Sequence, residues 1–439
     1  MTAIATKPSV LILSYQFPPV NGTGARRPYY LARQLADTGH RVSVLTTDIA
    51  EAQPWLPNLH GISVLRTPKT TVQRDMNSVQ QAIARLYQHM QGRSGHGLIR
   101  VLADVMLPEG HIDRWDILPE EVEARLGRHD IVLATCPSWY PFRLAAKLAG
   151  KWKAMFIADY RDPWTIHIPT LHLKGFTSFG TGPAGWLRTR KMLAMEHAWP
   201  GKAFALSAIS GPLLSNARMA TGVERGAVFH GGYDPLLRAQ PYQRKDRFTL
   251  VYTGRVYTQQ DWRGLLRALD IAQRRDPDLA QDIHIALYGA TSNNEALLEE
   301  LRAYGAGTGM IELLPRTGRD ETMRAQQTAD AVLHISPDDH QGGLPVKFLE
   351  YLGCGRPILL FIKKKDIESD VVQRTRTGVI VSDPQALADT LVERVKEWRQ
   401  GGVWTITPDH KELDMFNYAK SMQAMVAQLE EWYLAYRGG

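Results

Sequence analysis

Cysteine is nearly absent from this chain. Cys136 and Cys354 are the only two in 439 residues. Both fall in segments that read as buried or semi-buried, a usage that fits a reducing cytosol better than a disulfide-built secreted fold. Long apolar runs are missing too: the longest candidates, Val10–Leu13 and Ile358–Ile362, have the length of strands and not of a membrane span. Near the N-terminus VLIL gives way at once to Ser14-Tyr-Gln-Phe-Pro-Pro, too short an apolar stretch for a secretory signal. No helix-turn-helix, zinc-finger or aromatic-basic strand signature accompanies the surplus of positive charge, 52 Lys and Arg against 45 Asp and Glu for a net +7. The basic residues are dispersed, so nucleic acid is not expected as a partner. An anionic membrane face or a phosphate-bearing substrate explains the charge at least as well. Internal repeats and low-complexity tracts are lacking.

What is present is a globular composition, 44% hydrophobic and 22% charged, in a chain long enough for two domains. Val10–Leu13 reads as a parallel-type strand. The glycine loop Asn21–Gly24 then enters a helix through Leu31, Leu35 and Ala36, closed by Gly39, and Val42–Leu45 is a second buried strand, which makes a βαβ unit. The spacing G-x-G-x-x-G is absent, and Thr46-Thr47 precede Asp48 where a dinucleotide-binding fold would place its acidic residue. Further strands are expected at Ile131–Ala134, Met155–Ala158, Ala203–Ala208, Phe248–Tyr252, Ile283–Gly289, Ile311–Leu314, Ala331–Ile335, around Leu359 and at Gly378–Val381, with helices at Leu187–Trp199 and about Met415 to Tyr436. Thr70 to Leu126 differs in character. Its helical periodicity is diluted, and its Arg residues beside Leu98, Ile99, Val101 and Leu102 suit either a solvated helical face or an amphipathic helix that touches a membrane.

Chemistry concentrates in three places. From Asp338 to Leu360 the string DDHQGGLPVKFLEYLGCGRPILL runs from a glycine loop through Pro345 into a short helix ended by Gly353 and Gly355, then into a buried strand. A glycine loop leading into a helix N-terminus gathers backbone N–H groups where the dipole favours negative charge, and Lys347 in the first turn, a cation against that dipole, suggests an anionic partner. Lys347 and Glu350 then serve a ligand with phosphate and sugar hydroxyls, or form a plain solvated i,i+3 pair. At Asp159-Tyr-Arg-Asp-Pro-Trp164 a strand end delivers Asp159, Arg161 and Asp162 to the carboxyl edge of the sheet, where open α/β folds bind ligands; the alternative is a structural ion-pair cluster. In Thr253-Gly254-Arg255 a glycine after a strand allows close approach, and the arginine can fork onto a diphosphate. No D-x-D donor motif in a metal-chelating context is found.

The string PVKFLEYLGCGRPIL closely resembles the donor-binding segment of the family 4 glycosyltransferases of the GT-B fold, with weaker resemblance at Pro18–Thr46, Asp159–Trp164 and His230–Asp234. The resemblance implies two Rossmann-like domains facing across a cleft. The acceptor-side domain would span 1–235 plus 412–439, with a helical insertion at about 70–126 and the last helix crossing back to it, and the donor-side domain 236–411. It implies transfer of a sugar from a nucleotide-diphosphate sugar to a hydroxyl acceptor, a glycan or lipid-linked intermediate, with retention and without metal or cofactor, at the inner face of the cytoplasmic membrane. By resemblance Lys347 and Arg255 meet the diphosphate and Glu350 the ribose, with Gly254 and the amides of Gly342, Gly343 and Leu344 beside them. Arg316 and Thr317 lie against the base, and Gly22 and Gly24 form the loop of the first domain. Asp159 or Asp162 would orient or deprotonate the acceptor hydroxyl, and Arg161 would meet an acceptor phosphate. Three departures stand out: Gly342 where many members carry a glutamate, Gln260 where they often carry a lysine, and Gly231 in place of an asparagine. A sugar-nucleotide epimerase or hydrolase of the same fold, and a catalytically silent scaffold of a polysaccharide assembly complex, are the alternatives.

Overall fold

The computed structural model describes residues 7–49, 54–67, 120–136, 139–165, 182–235, 240–292, 294–337 and 343–438, with residues 82, 83, 86, 118 and 237. Most of the arginine-rich insertion, Gly342 and the acidic start of the Asp338 loop lie outside these residues. The chain divides into two compact units, 1–230 with 422–439 and 231–421.

The first unit holds a seven-stranded parallel sheet of β1 (Val10–Ser14), β2 (Val42–Thr47), β3 (Ile62–Thr67), β4 (Ile131–Thr135), β5 (Met155–Tyr160), β6 (Ala205–Ala208) and β7 (Gly226–Val228). Their spatial order is β3-β2-β1-β4-β5-β6-β7. Its helices are α1 (Arg26–Asp37), α2 (Glu120–Leu126), α3 (Tyr140–Trp152), α4 (Gly182–Ala198) and α5 (Gly211–Thr221). β1 is buried on both faces, as its unbroken apolar run requires. Leu11 and Leu13 join the core of α3 and α5, while Val10 and Ile12 pack on the opposite face with Leu31 and Leu35 of α1.

The second unit repeats the plan with six parallel strands, β8 (Phe248–Thr253), β9 (Ile283–Tyr288), β10 (Ile311–Leu314), β11 (Ala331–Ile335), β12 (Ile358–Phe361) and β13 (Gly378–Val381), in the order β10-β9-β8-β11-β12-β13. Its longer helices are α6 (Trp262–Arg275), α7 (Glu295–Thr308), α8 (Arg319–Thr328), α9 (Val346–Gly353), α10 (Ile367–Thr375) and α11 (Pro384–Arg399). In both sheets the order reverses beside the first strand, between β1 and β4 and between β8 and β11. Such a reversal opens a crevice at the carboxyl ends, the place where sheets of this kind take ligands.

The last helix, α12 (Tyr418–Gly438), carries the boundary between the units. It begins three residues later than expected because the Asn417 side chain accepts from the Ala419 N–H at 2.9 Å, fixing the first turn. From residue 422 onward it belongs to the first unit, where Met422, Met425, Val426, Leu429 and Trp432 complete the core on the α1 face.

Candidate active site

In the second unit the exits of β8 and β11 flank the point of reversal. Gly254 leaves β8 with φ +91°, a conformation glycine takes without strain, and its N–H donates to the Tyr288 carbonyl. Arg255 follows, exposed. From the β11 side, Gly343 and Leu344 lead through Pro345, an N-cap without a side-chain cap bond, into α9. The first N–H groups of α9 therefore have no acceptor within the helix.

Lys347, half-buried in that first turn, donates to the hydroxyl of Tyr252, and its Nζ lies 4.2 Å from the centre of the Tyr252 ring. Tyr252 in turn donates to the Arg255 carbonyl, so the β8 exit and the lysine share one phenol. Burial pushes the Lys347 ammonium down to about 7, with Glu368 opposing the shift. A group in that state gains its full charge when an anion arrives. The i,i+3 pairing of Lys347 with Glu350 is not formed. Glu350 instead takes an ion pair from Arg319 at the start of α8.

Arg316 is exposed, and its backbone packs on Gly289, where an added Cβ would stand 3.6 Å from the Arg316 Cα. Thr317 is half-buried, with its hydroxyl 3.2 Å from that of Thr322. Gln260, the residue at the position of the family lysine, is buried and fully engaged. It donates to the Ile335 carbonyl at 2.6 Å and accepts from the Tyr257 N–H at 2.9 Å and the Trp262 indole at 3.2 Å. It serves the architecture of the β8 exit, leaving the positive charge there to Arg255 and Lys347.

In the first unit the glycine loop and the end of β5 come together. Arg161 donates from its guanidinium to the Gly24 carbonyl at 2.5 Å and to the Cys136 carbonyl, joining the exits of β1, β4 and β5. An added Cβ on Gly24 would stand 2.1 Å from the Gln16 Oε1, and one on Gly22 3.3 Å from the same atom, so the loop closes tightly over Gln16.

Asp159 does not belong to this rim. β5 runs two residues beyond the expected Ala158. That encloses Asp159 in the sheet at 1% exposure, against Arg27 of α1 at 2.8 Å. Ser207 at 2.6 Å and Thr135 at 2.8 Å also donate to it. Burial alone would push its carboxyl up, but Arg27 and these donors outweigh burial and hold it below the ordinary carboxylate value. A carboxylate so sealed cannot reach an acceptor hydroxyl. Its ion-pair partner is Arg27 and not Arg161.

Asp162 lies on the rim, exposed yet closely ringed by protein. That desolvation raises its pKa against the pull of Arg161. The partner that sequence reasoning missed, Arg27, carries the signal used at Lys347, since it is a cation in the first turn of a helix behind a glycine loop. Both cysteines are buried and unpaired with each other, and burial pushes each thiol up to about 12. Among the described residues no group of three or more His, Cys, Asp and Glu side chains is arranged to hold a metal ion. No described helix is long and apolar enough to cross a membrane.

Two parallel α/β sheets, each reversing its order beside its first strand, are the architecture of the GT-B fold of glycosyltransferases. Residues 247–397 match the family model of the glycosyl transferases group 1, and this part of the second unit is a glycosyltransferase domain. Similar solved structures include a sucrose-phosphate synthase from Thermosynechococcus elongatus, at 14% identity and a TM-score of 0.55, with 98% of this chain and 100% of that one covered. A glycosyltransferase from Rickettsia africae matches at 14% identity and a TM-score of 0.55 over 98% of this chain and 99% of that one. An α,α-trehalose-phosphate synthase from Burkholderia vietnamiensis matches at 12% identity and a TM-score of 0.54 over 96% and 100%. No curated protein matches the sequence.

Proposed function

We propose that the protein transfers a sugar from a nucleoside-diphosphate sugar to a hydroxyl of a glycan or lipid-linked acceptor. The observation that carries this reading is the meeting of Lys347, the Arg255 backbone and the open N-terminus of α9 at the reversal point of a glycosyltransferase domain. In such a transfer the largest electrostatic demand is charge developing on the departing diphosphate. The Lys347 ammonium, the Arg255 guanidinium and the amides of Gly343, Leu344 and α9 answer that demand, with Arg319 aligning Glu350 for the ribose. Arg316 and Thr317 border the base. Gly254 supports close approach of the donor, since its φ of +91° leaves the position without a side chain at the β8 exit. With these groups carrying the charge the reaction needs no metal, and the leaving phosphate takes the acceptor proton with retention at the anomeric carbon.

On the acceptor side, Asp162 is the carboxylate that orients the hydroxyl. Desolvation raises its pKa above the ordinary carboxylate value, against the pull of Arg161. Arg161 holds the loop of Gly22 and Gly24 in shape for that acceptor. The net charge of +7 fits work on a lipid-linked acceptor at the anionic inner membrane face.

A panel of nucleotide sugars incubated with the protein and read by mass spectrometry tests the reading. Slow release of free sugar from one donor is the expected result. Absence of any thermal shift with UDP, GDP, TDP and ADP alike would sink it.

A further inference from the structure

A lysine on a flexible four-carbon stem is a poor fixed point for a diphosphate unless something holds its end. We infer that Tyr252 is the positioning residue of Lys347: its hydroxyl, braced from behind by the β8 exit, seats the ammonium where a diphosphate meets it already in place. This rests on the donor-site reading above.

Tyr252 is completely buried and is the only link described between the lysine and the strand. Its hydroxyl has Gln260 Oε1 at 3.2 Å and the Arg255 carbonyl as acceptors, and its ring lies beneath Nζ at 4.2 Å. Gln260 is fixed by Ile335, Tyr257 and Trp262, so the brace reaches from β11 to the start of α6. The buried glutamine at the position of the family lysine thus acts indirectly, by locking the phenol that holds the remaining lysine.

The titratable and charged groups facing Lys347 are Tyr252 from β8, Tyr257 from the following loop at 5.7 Å and Glu368 from α10. Glu350, on its own helix, is turned to Arg319. A phenol oxygen that accepts from the ammonium favours the charged lysine, in the same sense as Glu368 and against burial. Held in this way, the lysine loses little freedom when the anion binds.

A double-mutant cycle with inorganic pyrophosphate, titrated calorimetrically into the full chain between pH 6.5 and 9, tests the inference. Tyr252→Phe is expected to weaken binding about five- to tenfold, but less than about twofold when Lys347→Met is already present. It is also expected to move the loss of affinity at rising pH to lower pH. Equal weakening in both backgrounds overturns the positioning role and leaves the donor site standing. Wild-type binding by Lys347→Met overturns the donor site and the inference with it. Should Tyr252→Phe not fold, carbon-13 NMR of the lysine ε-carbons in the wild type, with Lys347 assigned from the Lys347→Met spectrum, gives the second readout. A resonance titrating near neutrality and moving upward with pyrophosphate supports the inference. One titrating at about 10.4, as in a free lysine, overturns it.

Discussion

At Asp159 every approach to the carboxylate is taken by a donor: Arg27 from α1, Thr135 from β4 and Ser207 from β6. Arg27 also donates to the Phe229 carbonyl at 2.7 Å, so one guanidinium ties α1 to the sheet and to the segment beyond β7. Removing one member leaves the other charged and dry. Arg27→Met is therefore expected to destabilise the first unit by about 3–5 kcal/mol, read by urea unfolding. The pH dependence has a fixed sign. Because the folded pKa lies below the unfolded one, the pair's stabilisation is present above the unfolded value near 3.9 and is lost as pH falls through the folded value. Asp159→Asn should flatten that acid limb. At Lys347 the sign is set by the ligand: a lysine at about 7 in the free protein is recharged by a bound diphosphate, so binding takes up a proton above neutrality. Nucleoside-diphosphate affinity should fall by up to about tenfold per pH unit above 7, and calorimetry in buffers of different ionisation enthalpy should show the uptake.

Among the elements, the strands were the most legible part of the chain. β10, β11 and β13 stand where they are expected: β11 is buried along its whole length, while β10 and β13, at the two edges of the sheet, are only partly buried and still carry enough apolar residues to be read as strands. Helices of the second unit were harder, since α6, α7 and α11 mix charged residues into their faces. Their starts nevertheless carry readable caps: Asp261 accepts from Gly264, Asn294 from Leu297, and Asp383 from Gln385 and Ala386. What no local pattern discloses is the pairing of Arg27 with Asp159, 132 residues apart. The same holds for the engagement of Gln260 by β11, because both depend on strand order. At α10 the cap is a full capping box, with Asp366 accepting from Glu368 and Ser369 while the Ser369 hydroxyl takes the Asp366 N–H. Asp366→Ala should lower stability by about 1 kcal/mol, seen as a drop in Tm.

On the scale of the whole molecule, the first unit depends on residues far from its own stretch of sequence. Met422, Met425, Val426, Leu429 and Trp432 each lie at 7% exposure or less in its core. At about 1.5–3 kcal/mol for each buried side chain, their loss is comparable with the 5–15 kcal/mol that typically holds a domain together. A chain ended after Ser421 is expected to lose the first unit to limited proteolysis, while a fragment from the second unit survives.

That dependence sets an order of events at the ribosome. The middle of the chain, 231–421, is finished before the first unit can be, because residues 422–438 of α12 emerge after it. At about 5–20 residues per second, the 208 residues 231–438 take roughly 10 to 40 s to make. Through that interval the face of Val10, Ile12 and Met155 lacks the part of its cover that α12 supplies. A nascent first half in this condition is expected to lean on chaperones, and the unit made second is expected to fold first.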